Sequence, residues 1–183
     1  MRPVVCFVED CPSRIENVIE MYDSWGYRRS FDLCFIVCEQ HYWDQLGDRG
    51  EEFLRSVEYP QSVHSASLFD YAKHGIPDLF FVDMMLEWTS PFYESTRIQH
   101  PTLQLNEAGL RIVKDIEFSF DENERPAWWI WTAVDCTGSV DEIIKDKIRY
   151  KDQEPLVDLL RFAQTEARIS SRRAGKKSRT VDP

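Results

Sequence analysis

The sequence contains neither an N-terminal signal peptide nor a run of roughly 18 apolar residues, the marks of a secreted or membrane-spanning chain. It also contains no CxxC pair, and its five cysteines are an odd, scattered set, distant in sequence from its four histidines. Zinc sites need clustered cysteine and histidine ligands, so we do not expect one. These absences predict a cytoplasmic protein with no membrane segment.

The acidic character of the chain limits its partners. The formal net charge is −10, although residues 168–183 carry six basic side chains against one acid. The body of the chain is therefore strongly acidic and repels phosphate backbones, which argues against general nucleic-acid binding. Nucleic acid or an acidic partner could contact only the basic tail, for which a flexible, solubilising end is the simpler interpretation.

Five short apolar segments predict buried β-strands, because strands covered on both faces of a sheet are almost continuously hydrophobic. The most apolar of them contains one charged residue, Asp83. The predicted strands cover residues 4–8, 33–38, 79–86, 128–132 and 148–150.

Helical patterns occur between the predicted strands. Ser13 and Glu16 match a capping box that would begin the first helix, and Gly26 would stop it. Pro155 suits the first turn of the last helix. Between them we predict short helices over residues 51–57, 67–73, 107–116 and 139–146.

The alternation of strands and helices predicts the α/β class, with a parallel sheet covered by helices on both faces. Right-handed crossovers leave few topologies, and the simplest is a doubly wound, five-stranded, flavodoxin-like three-layer sandwich. A length of 183 residues with 43% hydrophobic content suits one such domain with a sizeable core.

Four of the five predicted strands end in reactive or polar residues. Glu9 and Asp10 follow the first strand, Asp83 lies in the third, Thr132 ends the fourth, and Lys151 follows the fifth. Function in an open parallel sheet gathers at the carboxyl ends of the strands. We therefore expect these five side chains to share one pocket.

Asp83 is the sharpest signal, because an ionised carboxylate is costly to bury without a partner. By itself it fits a turn aspartate as well as a reactive group. Glu9 and Asp10 by themselves fit first-turn acids that the helix dipole favours. Together, the three carboxylates would repel one another unless a cation lay among them, and Mg²⁺ prefers such hard oxygen ligands.

A pocket of this kind suits phosphoryl transfer. Asp83 would attack as the nucleophile, while the metal ion offsets charge in the transition state. Lys151 would supply a point charge to one phosphoryl oxygen, and Thr132 would donate its hydroxyl to another. Taken singly, Lys151 also fits an exposed lysine and Thr132 a β-branched strand end, but their order along the chain favours the functional interpretation.

The sequence resembles the receiver domain of bacterial response regulators over most of residues 3–165. The resemblance implies that Asp83 is the phosphoacceptor and that the backbone carbonyl of Met85 joins the carboxylates in binding Mg²⁺. The matching segments, in the order of the family, are residues 4–10, 77–86, 109–110, 131–133 and 151–160.

The chain departs from the family at several points. Relative to it, residues 39–66 and 87–107 are insertions within a receiver-like domain of residues 1–168, and a basic flexible tail covers residues 169–183. Position 9 is glutamate where aspartate is usual, Asp152 replaces the proline after Lys151, and Ile148 replaces a common aromatic residue.

The resemblance implies a signalling role. The domain would accept a phosphoryl group from a histidine kinase or phosphotransfer protein and act through an output protein, with self-catalysed transfer in place of substrate turnover. An alternative is a binding module that works without phosphorylation. A phosphatase with an aspartyl nucleophile is disfavoured, because such enzymes want a second acid where Met85 stands. Nothing in the sequence argues against an oligomer.

Overall fold

The computed structural model describes residues 2–47, 68–87, 108–122, 124–133, 144 and 146–177. Within them, five parallel strands form one sheet in the order β2-β1-β3-β4-β5. This order confirms the predicted doubly wound, flavodoxin-like α/β fold. The strands are β1 (Val4–Val8), β2 (Asp32–Ile36), β3 (Leu79–Val82), β4 (Ala127–Thr132) and β5 (Ile148–Tyr150).

Helices cover both faces of the sheet and complete the three layers. None of the described helices is both long and apolar enough to cross a membrane. The helices are α1 (Pro12–Ser24), α2 (Glu39–Leu46), the single turn α3 (Tyr71–His74), α4 (Ala108–Ser119) and α5 (Leu156–Lys177).

Alternate residues of the central strands face two separate hydrophobic cores. Cys6 and Phe80 pack with residues of α2 and α4, whereas Phe7 and Phe81 pack with residues of α1 and α5. Every residue of β1 and β3 is buried. Because both faces of these strands are covered, their sequences are continuously apolar.

Aromatic packing joins the three strands that carry most of the candidate site. The ring of Phe7 stacks on Phe81 with centroids 4.9 Å apart and meets the edge of Trp131 at 5.5 Å. Aromatic pairs in these geometries add stability beyond the area that they bury. The packing therefore holds β1, β3 and β4 in fixed positions relative to one another.

Residues 39–46, within the predicted insertion 39–66, form helix α2. The apolar pattern does not predict this helix, because polar residues are buried beside the apolar Leu46. Glu39 is bound by the guanidinium of Arg111 on α4 through hydrogen bonds of 2.8 and 2.7 Å, and the Tyr42 hydroxyl donates to Asp115 at 2.7 Å. A polar group can be buried where a partner satisfies it, so the buried face of the helix is a mixture of polar and apolar residues.

The predicted capping box at Ser13 and Glu16 is wrong. Helix α1 begins at Pro12 with Cys11 as its N-cap residue, and Ser13 lies inside the first turn with its hydroxyl 3.3 Å from the Cys11 thiol. Proline suits that first position because its fixed φ is helical and no N–H is lost. The predicted stop near Gly26 is confirmed, since the helix ends at Ser24 and Gly26 has a φ of 71°.

Other boundaries differ from the predictions as well, and β3 ends at Val82 where the predicted strand ran to residue 86. The helix predicted from residue 67 begins at Tyr71, because Asp70 caps it by accepting the N–H of Ala72. Leu68 instead forms an isolated bridge with Phe35 of β2. Strand β2 begins one residue earlier and ends two residues earlier than the predicted range 33–38, while α4 extends beyond residue 116 to Ser119.

Helix α5 continues into the predicted basic tail. It ends at Lys177, so residues 169–177 are helical. The domain boundary at residue 168 stays a prediction. Residues 48–66, 88–107 and 178–183, the helix predicted over 51–57 and nearly all of that over 139–146 lie outside the described residues.

His41 on α2 is fully buried and joins two backbone segments. The Val37 N–H donates to its Nδ1 at 3.2 Å, and its Nε2 donates to the Phe69 carbonyl at 3.0 Å. Burial lowers the pKa of His41 to about 4, because the charged ring would lose its hydration, although the Phe69 carbonyl partly opposes this. The neutral ring therefore ties the β2–α2 connection to the chain before α3.

Replacing this histidine should change how stability depends on pH. The folded pKa of His41 lies below its ordinary value of 6.5. Its contribution to stability is therefore complete above about pH 6.5 and is lost as pH falls towards about 4. Relative to His41→Gln, which keeps a donor and an acceptor but does not titrate, the wild-type protein should lose roughly 1 kcal/mol per pH unit across this window. Urea denaturation of both proteins at several pH values measures the difference, and a difference independent of pH would contradict the assignment.

Gly109 allows α4 to approach the loop after β3 closely. Its N–H donates to the Met84 carbonyl at 3.2 Å. A Cβ atom at this position would lie 2.0 Å from the Asp83 carbonyl oxygen and 2.7 Å from the Met84 Cα. These neighbours are backbone atoms that cannot rotate away, so the first turn of α4 helps to fix the position of Asp83.

We expect Gly109→Ala to destabilise the domain even though alanine is the better helix former. Relief of the clash requires α4 or the Asp83 backbone to shift, and overpacking of this kind typically costs about 1–3 kcal/mol. Lys114→Ala, at an exposed position of the same helix, should change stability by less than about 0.5 kcal/mol. Chemical denaturation compares the two variants, and equal stability of Gly109→Ala and wild type would show that the approach is not tight.

Candidate functional site

The strand ends bring two of the predicted acidic segments side by side. The Glu9 N–H donates to the Ile36 carbonyl at the end of β2, and the Asp83 N–H donates to the Val8 carbonyl at the end of β1, each at 2.9 Å. The parallel ladders thus continue one residue past the strands. Strand β1 lies between β2 and β3 in the sheet, so the strand order reverses direction at β1. In a doubly wound sheet the crevice forms at this point, beyond the carboxyl ends of the strands, and the acids lie there.

Glu9, Asp10 and Asp83 form one carboxylate cluster. One oxygen from each lies within 4.8 Å of the others. Glu9 is 0% exposed and Asp83 is 4% exposed, whereas Asp10 is partly accessible. The predicted grouping of these three acids is therefore present in the structure.

Lys151 completes the cluster from β5. Its Nζ lies 2.5 Å from Glu9 Oε2 and 2.6 Å from Asp83 Oδ2. Its backbone N–H donates to the Thr132 carbonyl at 2.9 Å, which extends the pairing of β4 with β5 and aims the side chain at the crevice. Lys151 reaches the acids even though Asp152, not proline, follows it.

The pKa of Glu9 is shifted by its surroundings in this cluster. Burial raises the pKa of the Glu9 carboxyl, because the charged form loses its hydration. The Lys151 ammonium partly opposes that rise, and the neighbouring Asp83 charge adds to it. Burial is thus the main cause of the raised pKa of Glu9, and Lys151 offsets part of it.

Asp10 connects the cluster with the loop after β3. Its Oδ2 accepts the Glu87 N–H at 2.7 Å. Burial raises the pKa of the Asp10 carboxyl, an effect that the Glu87 hydrogen bond lowers and the Asp83 charge increases. The Glu87 carbonyl in turn accepts the Glu39 N–H of α2 at 3.0 Å. One peptide segment thus lies between the carboxylate cluster and α2.

Two further predicted residues lie at the same edge. Thr132 ends β4 in register with Tyr150 of β5 and is fully buried. Met85 lies two residues after Asp83, and its N–H approaches Asp83 Oδ1 at 3.4 Å while its side chain is 42% exposed. The roles assigned to the Thr132 hydroxyl and the Met85 carbonyl stay predictions.

Sequence reasoning missed Arg14. Its Nη1 lies 3.6 Å from Asp83 Oδ2 and 3.9 Å from Glu9 Oε1. Arg14 lies in the first turn of α1, where the helix dipole disfavours a positive charge. That unfavourable placement, in the helix that follows the acidic pair Glu9 and Asp10, was the available signal of an anionic neighbour.

The donor set fits a divalent metal ion. Carboxylate oxygens are the ligands that Mg²⁺ prefers, and one oxygen from each of the three acids lies within 4.8 Å of the others. Partial exposure of Asp10 leaves one side open to water or an incoming group. Glu9, Asp10 and Asp83 are the residues that could hold the ion.

Comparisons with known proteins agree with this architecture. No family model and no curated protein sequence matches the chain. The signal receiver domain of a putative LuxO repressor protein from Vibrio parahaemolyticus matches in structure with a TM-score of 0.55. It is 12% identical, and the match covers 93% of this chain and 94% of that one.

The N-terminal domain of a response regulator, sensory box and GGDEF three-domain protein from Carboxydothermus hydrogenoformans is also similar. Its TM-score is 0.47 at 12% identity, and the match covers 92% of this chain and 96% of that one. The sheet order, together with the match to the Vibrio domain, identifies the architecture: the chain has the receiver-like, flavodoxin-like fold.

Proposed function

We propose that the protein is a signalling receiver that accepts a phosphoryl group on Asp83 in an Mg²⁺-dependent reaction. The donor would be the phosphohistidine of a histidine kinase or phosphotransfer protein. The observation that carries this proposal is the position of Asp83 Oδ2, which is almost buried at the end of β3 with the Lys151 ammonium 2.6 Å away. A nearly buried carboxylate beside a cation, next to two further acids, is well placed to act as a nucleophile.

The transfer step follows from this geometry. Asp83 Oδ2 forms a bond to phosphorus while the phosphorus–nitrogen bond of the phosphohistidine breaks. The imidazole nitrogen keeps the electron pair of that bond and takes up a proton. A bound Mg²⁺ would supply charge neutralisation at the phosphoryl oxygens.

The Lys151 ammonium lies close enough to Asp83 to contact the phosphoryl oxygens after transfer. In the structure its ammonium bridges Glu9 and Asp83. Once Asp83 carries a phosphoryl group, negative charge lies on the phosphoryl oxygens, and a lysine is a compact point charge that can turn to them. Thr132, at the end of β4 beside β5, would donate its hydroxyl to another phosphoryl oxygen. That hydrogen bond would alter the nearby surface to which an output protein binds.

One observation favours a second candidate, a binding module that works without phosphorylation. Lys151 already holds two of the three carboxylates at hydrogen-bonding distance. A cluster stabilised from within by Lys151 can serve as a purely structural element, and the fold would then present a fixed surface to a protein partner. Whether a metal ion and a phosphoryl group can enter the cluster separates the two candidates.

Incubation with acetyl phosphate and Mg²⁺ should add a single phosphoryl group to the wild-type protein. The adduct should be absent from Asp83→Asn and absent when Mg²⁺ is chelated, because the nucleophile or the charge-neutralising ion is then missing. Asp158→Asn, which removes a carboxylate from an exposed pair with Arg161, should be labelled like the wild type. Intact-mass spectrometry reads all four samples. No adduct in a folded wild-type protein would favour the binding module.

Lys151→Met should make the stability of the domain depend strongly on Mg²⁺. The substitution removes the cation nearest to Glu9 and Asp83, and removal of one partner of a buried ion pair costs about 3–5 kcal/mol. A divalent ion can replace the lost positive charge, so saturating Mg²⁺ should recover much of that loss. Lys114→Met, at an exposed position, is the matched control. Thermal and urea denaturation with and without Mg²⁺ test this, and a variant that responds to Mg²⁺ no more than the control would argue against a metal site.

A further inference from the structure

We propose that Arg14 is a second phosphoryl-binding residue, which contacts the oxygens of the phosphoryl group carried by Asp83. This inference rests on the proposed function and adds a residue to it. It concerns how tightly the site holds the phosphoryl group, because Arg14, on α1, would act together with Lys151.

The distances around Asp83 Oδ2 differ between the two cations. Lys151 Nζ lies at hydrogen-bonding distance, 2.6 Å, whereas Arg14 Nη1 lies at 3.6 Å. The second contact of Arg14, with Glu9 Oε1, is 3.9 Å long. Both Arg14 contacts exceed the usual hydrogen-bond range of about 2.7–3.2 Å. The guanidinium thus faces the nucleophilic oxygen without being locked to it.

Exposure separates the roles of these two cations. The side chain of Lys151 is 6% exposed and that of Arg14 is 39% exposed. Arg14 therefore borders the open side of the crevice, where an incoming group arrives, and it can adjust its position at little cost in packing. A guanidinium presents several N–H donors in a fixed plane that matches the oxygens of a phosphoryl group.

Charge balance gives Arg14 a reason to be there. Three carboxylates are balanced by Lys151 together with one divalent ion. Phosphorylation replaces the single charge of the Asp83 carboxylate with an acyl phosphate of about two negative charges. One further positive charge restores the balance, and Arg14 is the described cation, besides Lys151, that contacts both Asp83 and Glu9.

Arg14 also bears an electrostatic cost in the unphosphorylated protein. A cation in the first helical turn is disfavoured by the α1 dipole. A divalent ion bound to the cluster would repel it as well. Arg14 is repelled by the metal ion and attracted by the phosphoryl group. Its removal should therefore leave Mg²⁺ affinity unchanged or higher and should lower affinity for the phosphoryl group. That opposite response distinguishes a phosphoryl-binding residue from one that merely supports the fold.

The test compares Arg14→Gln, Arg14→Lys and wild type with two probes. Mg²⁺ alone is titrated by tryptophan fluorescence, for which Trp131 is well placed because its ring centroid lies 4.7 Å from Lys151 Nζ. Beryllofluoride, a phosphoryl analogue, is then titrated at saturating Mg²⁺. Arg28→Gln is the matched control, since Arg28 pairs with Asp23 in the last turn of α1, at the opposite end of the helix from Arg14.

We expect Arg14→Gln to weaken beryllofluoride binding at least about tenfold, the usual effect of one lost charge-assisted hydrogen bond. Its affinity for Mg²⁺ should be equal to that of the wild type or higher, because a repelling charge is gone. Arg14→Lys should recover part of the beryllofluoride affinity, and Arg28→Gln should behave as wild type. The concentration of acetyl phosphate that gives half-maximal labelling should rise in parallel for Arg14→Gln.

Two results would overturn the inference while leaving the proposed function intact. One is wild-type beryllofluoride affinity in Arg14→Gln, and the other is equal weakening of Mg²⁺ and beryllofluoride, which indicates a structural role. If the wild-type protein itself neither binds beryllofluoride nor takes a phosphoryl group from acetyl phosphate, the proposed function fails and this inference fails with it.

Discussion

The ion pair between Lys151 and the two buried carboxylates is the interaction on which the rest of the site depends. It joins the ends of β1, β3 and β5, which lie at the centre and one edge of the sheet. Carboxylates this deeply buried would otherwise be strongly penalised for their charge. Every other feature of the crevice, including the openness of Asp10 and the proximity of Arg14, is arranged around charge that Lys151 only partly compensates.

The sheet determines where this charge can lie. All-apolar strands, packed on both faces, allow β1 and β3 to run side by side and release their acids at one edge. The close approach of Gly109, in the first turn of α4, then restricts the position of the Asp83 backbone carbonyl. The backbone of Asp83 is therefore held between β1 and the first turn of α4.

The fold and the acid cluster were predictable because their signals are strong and local. Continuous apolar strands identified the parallel sheet, and one charge inside such a run, Asp83, identified the site. Helix α2 was missed because its buried face includes Glu39 and His41, polar residues whose partners lie far away in the chain. Arg14 was missed because its meaning depends on the direction of a side chain on α1, which spacing alone does not specify.

The peptide of Glu87 gives the site an asymmetric connection to the rest of the molecule. Its N–H is held by Asp10, its carbonyl is held by the N–H of Glu39, and Glu39 is clamped by Arg111 of α4. A carboxylate that turns towards a metal ion has to share or release that N–H. Strain created at the crevice therefore has a short mechanical route to the layer of α2 and α4, and among these contacts none leads to the layer of α1 and α5. Binding of an ion at the proposed site should therefore shift α2 and α4 through these hydrogen bonds.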